Sequence, residues 1–195
     1  MDVTELDRAL GSTLAILASV QPGQLDAPTP CASWDVSALI NHFIGTARWW
    51  AGVVDGQDAA APRADDTAVD YTAGDYVAAY EEAGKIAVAA LGAQDVPGRM
   101  IRLPFGEFPG AVVVAMAALD QFTHGWDLAR AVGYPAELDP GIAADLLRHA
   151  RVAITDGFRG PDGVAPFGPA TEAPAGAGPA DQLAAFLGRP VTVAR

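Results

Sequence analysis

Residues 118–128, Ala-Leu-Asp-Gln-Phe-Thr-His-Gly-Trp-Asp-Leu, carry side chains that can do chemistry. Asp120 and His124 are four apart inside a long helical pattern, so they stack on one face, about 6 Å along the axis. Asp127 lies three residues further on and shares that face. A carboxylate, an imidazole and a second carboxylate on one stripe can hold a divalent metal. The same spacing fits a solvated polar face.

The chain has 3 histidines, His42, His124 and His149. His42 falls in the middle of an earlier helical pattern, Leu39-Ile40-Asn41-His42-Phe43, on the border of its apolar stripe. Facing helices of a bundle place such side chains opposite each other across the interior. His42, Asp120 and His124 then form a set of two imidazoles and one carboxylate. Three protein ligands plus an open position is the pattern of a catalytic zinc site, and imidazole also suits nickel or iron. The alternative is that both histidines are hydrogen-bonded core residues. Asp127 is read as a carboxylate that orients an imidazole, or as the partner of Arg130 or Arg48. Trp49, two helical turns past His42, and Trp126 are candidates to wall a pocket, although buried tryptophans are more often core anchors. Arg48 is a candidate to bind an anionic substrate. Cys31 has no basic neighbour in sequence to lower its pKa and reads as a small buried thiol. His149 lacks a carboxylate on its own helix and reads as surface or structural.

These residues need helices to position them, and the pattern supplies them. Leu6, Leu10, Leu14 and Leu17 form one stripe of a first helix over residues 3–20. Ser33 is the expected N-cap of a second helix that runs to about Val54 with Val36, Leu39, Ile40, Phe43 and Ala47 inward. Residues 55–70 read as a surface loop. A third helix is expected over 73–91 and a fourth from Gly110 to Val132, stopped by Gly133. Between them, residues 99–108 nearly alternate apolar and polar around Pro104 and Gly106, which predicts a short extended segment or hairpin. Asp139-Pro140 opens a fifth helix running to about Gly157. Residues 160–179 are rich in Gly, Pro and Ala and read as a surface crossover. A short helix over 181–187 and an extended end at 191–193 complete a docked tail over 180–195. The expected fold is all-α: one domain over 1–195, a four-helix bundle with a short hairpin and a small C-terminal helix.

Composition narrows the partners. Of 195 residues 51% are hydrophobic, enough for a large core, and 24 acidic residues against 12 basic give a net charge of −12. That balance excludes the basic footprint that nucleic acid or an anionic membrane surface requires. The single cysteine excludes an internal disulfide. The longest apolar run, Gly110 to Leu119, is about half the ~20 residues of a membrane span. The acidic start lacks the basic region of a signal peptide, so a cytoplasmic monomer or homodimer is expected.

Three segments together carry a resemblance. Thr29-Pro30-Cys31-Ala32-Ser33-Trp34-Asp35-Val36 leads into Leu39-Ile40-Asn41-His42-Phe43-Ile44-Gly45. Later comes Asp120-Gln121-Phe122-Thr123-His124-Gly125-Trp126-Asp127-Leu128-Ala129-Arg130-Ala131-Val132-Gly133. Near the end stands Asp181-Gln182-Leu183-Ala184-Ala185-Phe186-Leu187-Gly188-Arg189. The chain resembles actinobacterial metal-binding proteins related to the N-terminal domain of mycothiol-dependent maleylpyruvate isomerase, within the DinB-like superfamily. The resemblance implies a DinB-like bundle with a divalent metal, usually zinc, on a histidine of the second helix and an acid-x-x-x-His pair. Those positions fall on His42, Asp120 and His124. The isomerase carries glutamate where this chain has the shorter Asp120, and a further C-terminal domain where this chain has the 160–195 tail. The resemblance implies a thiol-dependent transferase or isomerase that takes a small-molecule thiol such as mycothiol and an electrophilic substrate. A metal-binding module or sensor without catalysis is the alternative.

Overall fold

The computed structural model describes residues 2–57, 69–136, 138–161 and 164–192. It is mostly helical, with one two-stranded antiparallel hairpin. The helices are α1 (Val3–Leu17), α2 (Val36–Val54), α3 (Tyr76–Leu91), α4 (Gly110–Val132), α5 (Pro140–Ala153) and α6 (Pro179–Phe186). The strands are β1 (Met100–Leu103) and β2 (Gly106–Pro109), with Ile101 opposite Phe108 and Arg102 opposite Glu107. The short extended segment or hairpin expected around Pro104 and Gly106 is a hairpin, and Gly106 supplies the positive φ of its turn.

Local chemistry sets the ends of these elements. Asp2 and Glu5 form a capping box on α1, and Asp75 and Asp139 cap α3 and α5. Helix α2 starts later than its sequence suggests, because Asp35 and not Ser33 is the N-cap, accepting from Ala38 N at 2.8 Å. The reason lies upstream. Thr29 N donates to the Trp34 carbonyl and Trp34 N to the Cys31 carbonyl, so residues 29–34 close into a tight loop that cannot be helical. Helix α5 ends at Ala153 rather than near Gly157, because Ile154 turns extended and a 3₁₀ turn, Asp156–Phe158, follows. Gly133 ends α4 in the left-handed conformation. The expected surface loop falls, over 58–68, outside the described residues, as does Val193 at the chain's end.

Helices α1 to α4 pack as a bundle, α1 on α4 and α2 on α3, with α2 also crossing α4. Leu6, Ile16, Leu39, Ile40, Phe43, Ile44, Phe122 and Leu128 fill the interior. At Gly125 a side chain would collide with Thr13, so α1 and α4 meet almost backbone to backbone there. Thr13 Oγ1 donates to the Gln121 carbonyl at 2.9 Å across the same contact. This close approach fixes the rotation of α4 and turns Asp120 and His124 toward α2.

Helix α6 packs on α5 and α4. Asp181 accepts from Trp126 Nε1 at 2.8 Å and from Arg130 at 2.7 Å. Leu183 and Leu187 are buried, and Arg159 ties the preceding segment down through the Gly168 and Phe186 carbonyls. Leu183→Ala is therefore expected to cost about 2–5 kcal/mol. Urea unfolding measures this, and an unchanged midpoint would show that α6 is not part of the core.

Candidate metal centre

Three of the sequence candidates meet where α2 crosses α4. One donor atom from each of His42, Asp120 and His124 lies within 4.8 Å of the other two. His124 Nε2 stands 3.5 Å from Asp120 Oδ1. Two ligand atoms ~2.1 Å from one zinc at the tetrahedral angle stand roughly 3.4 Å apart, so this pair already has the spacing of shared ligation. The imidazoles of His42 and His124 meet edge to face with centroids 4.8 Å apart. The donor set suits a borderline divalent ion. Asp120 keeps 22% of its side chain exposed and His42 is half-buried, so the trio opens to solvent on that side.

Behind His124 the site is sealed. Asp127 has no exposed surface, and its Oδ2 lies 3.3 Å from His124 Nδ1. A carboxylate on the far nitrogen fixes the imidazole's orientation and leaves Nε2 facing Asp120 and His42. The cation that balances Asp127 is Arg189, which comes from the segment after α6. Its Nε and one terminal nitrogen fork onto the two carboxylate oxygens at 3.3 and 3.1 Å. Neither Arg130 nor Arg48 takes that place: Arg130 binds Asp181, and Arg48 binds Glu82 at 2.7 Å on the exposed side of α2 and α3.

The remaining candidates sort by position. Trp126 is buried and bound to Asp181, under the guanidinium of Arg130, so it anchors α6. Trp49 is buried against Trp50, with centroids 4.6 Å apart. Trp50 is the tryptophan that hydrogen-bonds to the trio, donating Nε1–H to Asp120 Oδ2 at 3.2 Å. Gln121 donates to the same oxygen at 3.0 Å and is held by Thr46, the Phe43 carbonyl and Tyr80. Trp34 stands over the centre, its ring 4.3 Å from that of His42 and 5.5 Å from that of His124. Cys31 is half-buried on the same loop, and its thiol donates to Asp127 Oδ2 at 3.4 Å. In the sequence Trp34 and Trp50, like the other two tryptophans, read as core anchors more than as a substrate cage, and nothing marked Gln121 or Arg189 as site residues. The signal for Trp34 and Cys31 was their place just before the helix of His42.

Cys31, His124 and Asp127 also bring donor atoms within 4.8 Å of one another. Arg189 decides against a cation there. Its guanidinium lies 3.7 Å from the Cys31 sulfur as well as on Asp127, so a dication would meet a fixed positive charge in a dry setting.

The charges are mutually tuned. Burial would raise Asp120, but the hydrogen bond and charge of His124 outweigh it and hold Asp120 below the ordinary carboxylate range. Burial would depress His124, but hydrogen bonds to Asp120, Asp127 and Cys31 carry it well above the usual 6.5. Burial is likewise overcome at Asp127, where Arg189 and then His124 lower it from 3.8 to about 2. In the metal-free protein Asp127 thus contributes stability above pH 3.8 that is lost as pH falls toward 2. His124 contributes stability below pH 6.5 that is lost as pH rises through its elevated folded value. Stability of the chelator-treated protein should therefore peak between those limits. Denaturant midpoints across pH check this, and a monotonic rise through pH 6.5 would contradict it. Arg189→Met should cost about 3–5 kcal/mol, because it leaves Asp127 buried and unpaired. Adding Asp127→Asn should recover part of the loss, read by a double-mutant cycle in urea.

No helix among the described residues is long and apolar enough to cross a membrane. No solved structure gives a significant match to the chain. Two curated relatives from strains of Mycobacterium tuberculosis, both called uncharacterized proteins, are each 38% identical over 188 residues, covering 94% of this chain and 95% of the relative. Residues 6–129 match the family model of the mycothiol maleylpyruvate isomerase N-terminal domain, a span that contains His42, Asp120, His124 and Asp127. The chain belongs to the family of that N-terminal domain.

Proposed function

We propose that this chain binds one divalent metal, zinc first and nickel or iron as alternatives, and uses it to activate a low-molecular-weight thiol such as mycothiol. The reaction is a thiol transfer to, or a thiol-dependent isomerisation of, a small electrophilic molecule. The observation that carries this reading is the convergence of His42, Asp120 and His124, with Asp127 fixed behind His124. Family membership supports the thiol.

In this reading His42 Nδ1 or Nε2, one oxygen of Asp120 and His124 Nε2 hold the ion. A bound dication, left at net +1 by two neutral imidazoles and one carboxylate, lowers the pKa of a thiol and favours its thiolate. Asp127 holds the His124 ring in its ligating orientation, and Arg189 keeps Asp127 ionised. Trp34 covers the imidazoles from the side of the 29–34 loop and excludes water there. The half-exposed side of His42 and Asp120 is the way in for thiol and substrate.

Metal analysis of untagged protein should give one equivalent per chain, lost in His124→Ala. Calorimetry should then show a simple thiol or mycothiol binding the zinc-loaded Cys31→Ser protein with proton release, and not the metal-free protein. The Cys31→Ser background removes a competing thiol. Metal without thiol binding would leave a non-catalytic metal-binding module. No metal after reconstitution would end the reading.

A further inference from the structure

We propose that Trp50 and Gln121 are positioning residues that keep Asp120 a one-oxygen ligand, so that a coordination position stays open for the thiol. The proposal rests on the metal reading above and concerns how the site selects its incoming ligand.

The two oxygens of Asp120 have different surroundings. Oδ1 faces His124 Nε2 at 3.5 Å. Oδ2 accepts two hydrogen bonds, from Trp50 Nε1 at 3.2 Å and Gln121 Nε2 at 3.0 Å. Both donors are set rigidly. Trp50 is 6% exposed and packed against Trp49. Gln121 is 1% exposed; its amide N–H groups also reach Thr46 Oγ1 and the Phe43 carbonyl, and its amide oxygen accepts from Tyr80. The amide cannot flip without losing these partners, because its oxygen would then face a carboxylate and a carbonyl. Turning Oδ2 toward an ion would break two buried hydrogen bonds and leave the indole N–H of Trp50 unsatisfied, a substantial cost, while the Gln121 amide would keep only Thr46 and the Phe43 carbonyl.

A carboxylate can bind an ion through one oxygen or chelate it through both. Chelation by Asp120 would raise the number of protein donor atoms from three to four, so that an ion keeping its water becomes five-coordinate and takes an incoming thiol less readily. Tethering Oδ2 prevents it. The short side chain helps, since aspartate anchored at one oxygen has little reach for the other. Trp50 and Gln121 touch neither thiol nor substrate in this account; they act through Asp120.

The test uses cobalt(II), whose visible bands are intense when four-coordinate and weak at higher coordination. The wild type should bind cobalt with intense bands and accept a simple thiol. Trp50→Phe frees one side of Oδ2. It should bind cobalt at least as tightly, show weaker bands, and bind the thiol more weakly than the wild type. Trp50→Leu should do the same, and thermal melts of the metal-free variants establish that each is folded. General damage would weaken cobalt and thiol together, so the opposed directions mark the positioning role. Unchanged bands and thiol affinity in both folded variants, or parallel loss of cobalt and thiol, would overturn the proposal and leave the metal site standing. Failure of the wild type to bind cobalt would overturn the metal reading itself.

Discussion

A carboxylate sealed from water in the C-terminal half of α4 is the constraint that the rest of the structure answers. Asp127 has no solvent to stabilise its charge, so protein groups must supply it. They come from distant parts of the sequence. Arg189 arrives from beyond α6, Cys31 from the loop before α2, and His124 from one turn earlier on the same helix. Satisfying one buried anion thereby ties the tail, the loop and the bundle to a single point. The orientation of His124 is a by-product of that arrangement, and it aims the free imidazole nitrogen at the open side of the site.

Around this point the polar groups divide into a sealed side and an open side. The sealed side consists of Asp127, Arg189 and the Gln121 network with Tyr80, Thr46 and the Phe43 carbonyl. It is rigid because each buried donor and acceptor there has a defined partner. The open side consists of His42, Asp120 and the overlying Trp34. Close packing of α1 on α4 at Gly125 makes the division possible, because it sets the rotation at which Asp120 and His124 face α2 while Asp127 faces the tail. A net charge of −12 adds a general attraction for cations, but only the inward-facing trio gives it a defined geometry.

The helical periods were legible because they are local. The boundaries of α4 agree with its sequence reading at both ends, where Pro109-Gly110 opens it and Gly133 closes it. The spacing of Asp120, His124 and Asp127 places them on one stripe, and two motifs a long way apart brought in His42. The partners across the bundle were not legible. Trp49 and Trp50 are neighbours in sequence, and spacing from His42 favours the first; the crossing of α2 and α4 brings the second to Asp120. Arg48 lies near His42 in sequence yet turns to Glu82 on α3. Arg189 is separated from Asp127 by 62 residues, and no local pattern links a tail arginine to a helix carboxylate. Ser33 looked like a helix cap because the competing loop closed by Thr29 is itself a tertiary feature.

The central claim is that His42, Asp120 and His124 hold a divalent ion. Anomalous diffraction from zinc-treated crystals, collected on either side of the zinc absorption edge, tests it most directly. The account requires one peak per chain, within bonding distance of His124 Nε2, Asp120 Oδ1 and a His42 ring nitrogen. A peak on Cys31 and Asp127 instead, or none in this part of the molecule, would contradict it.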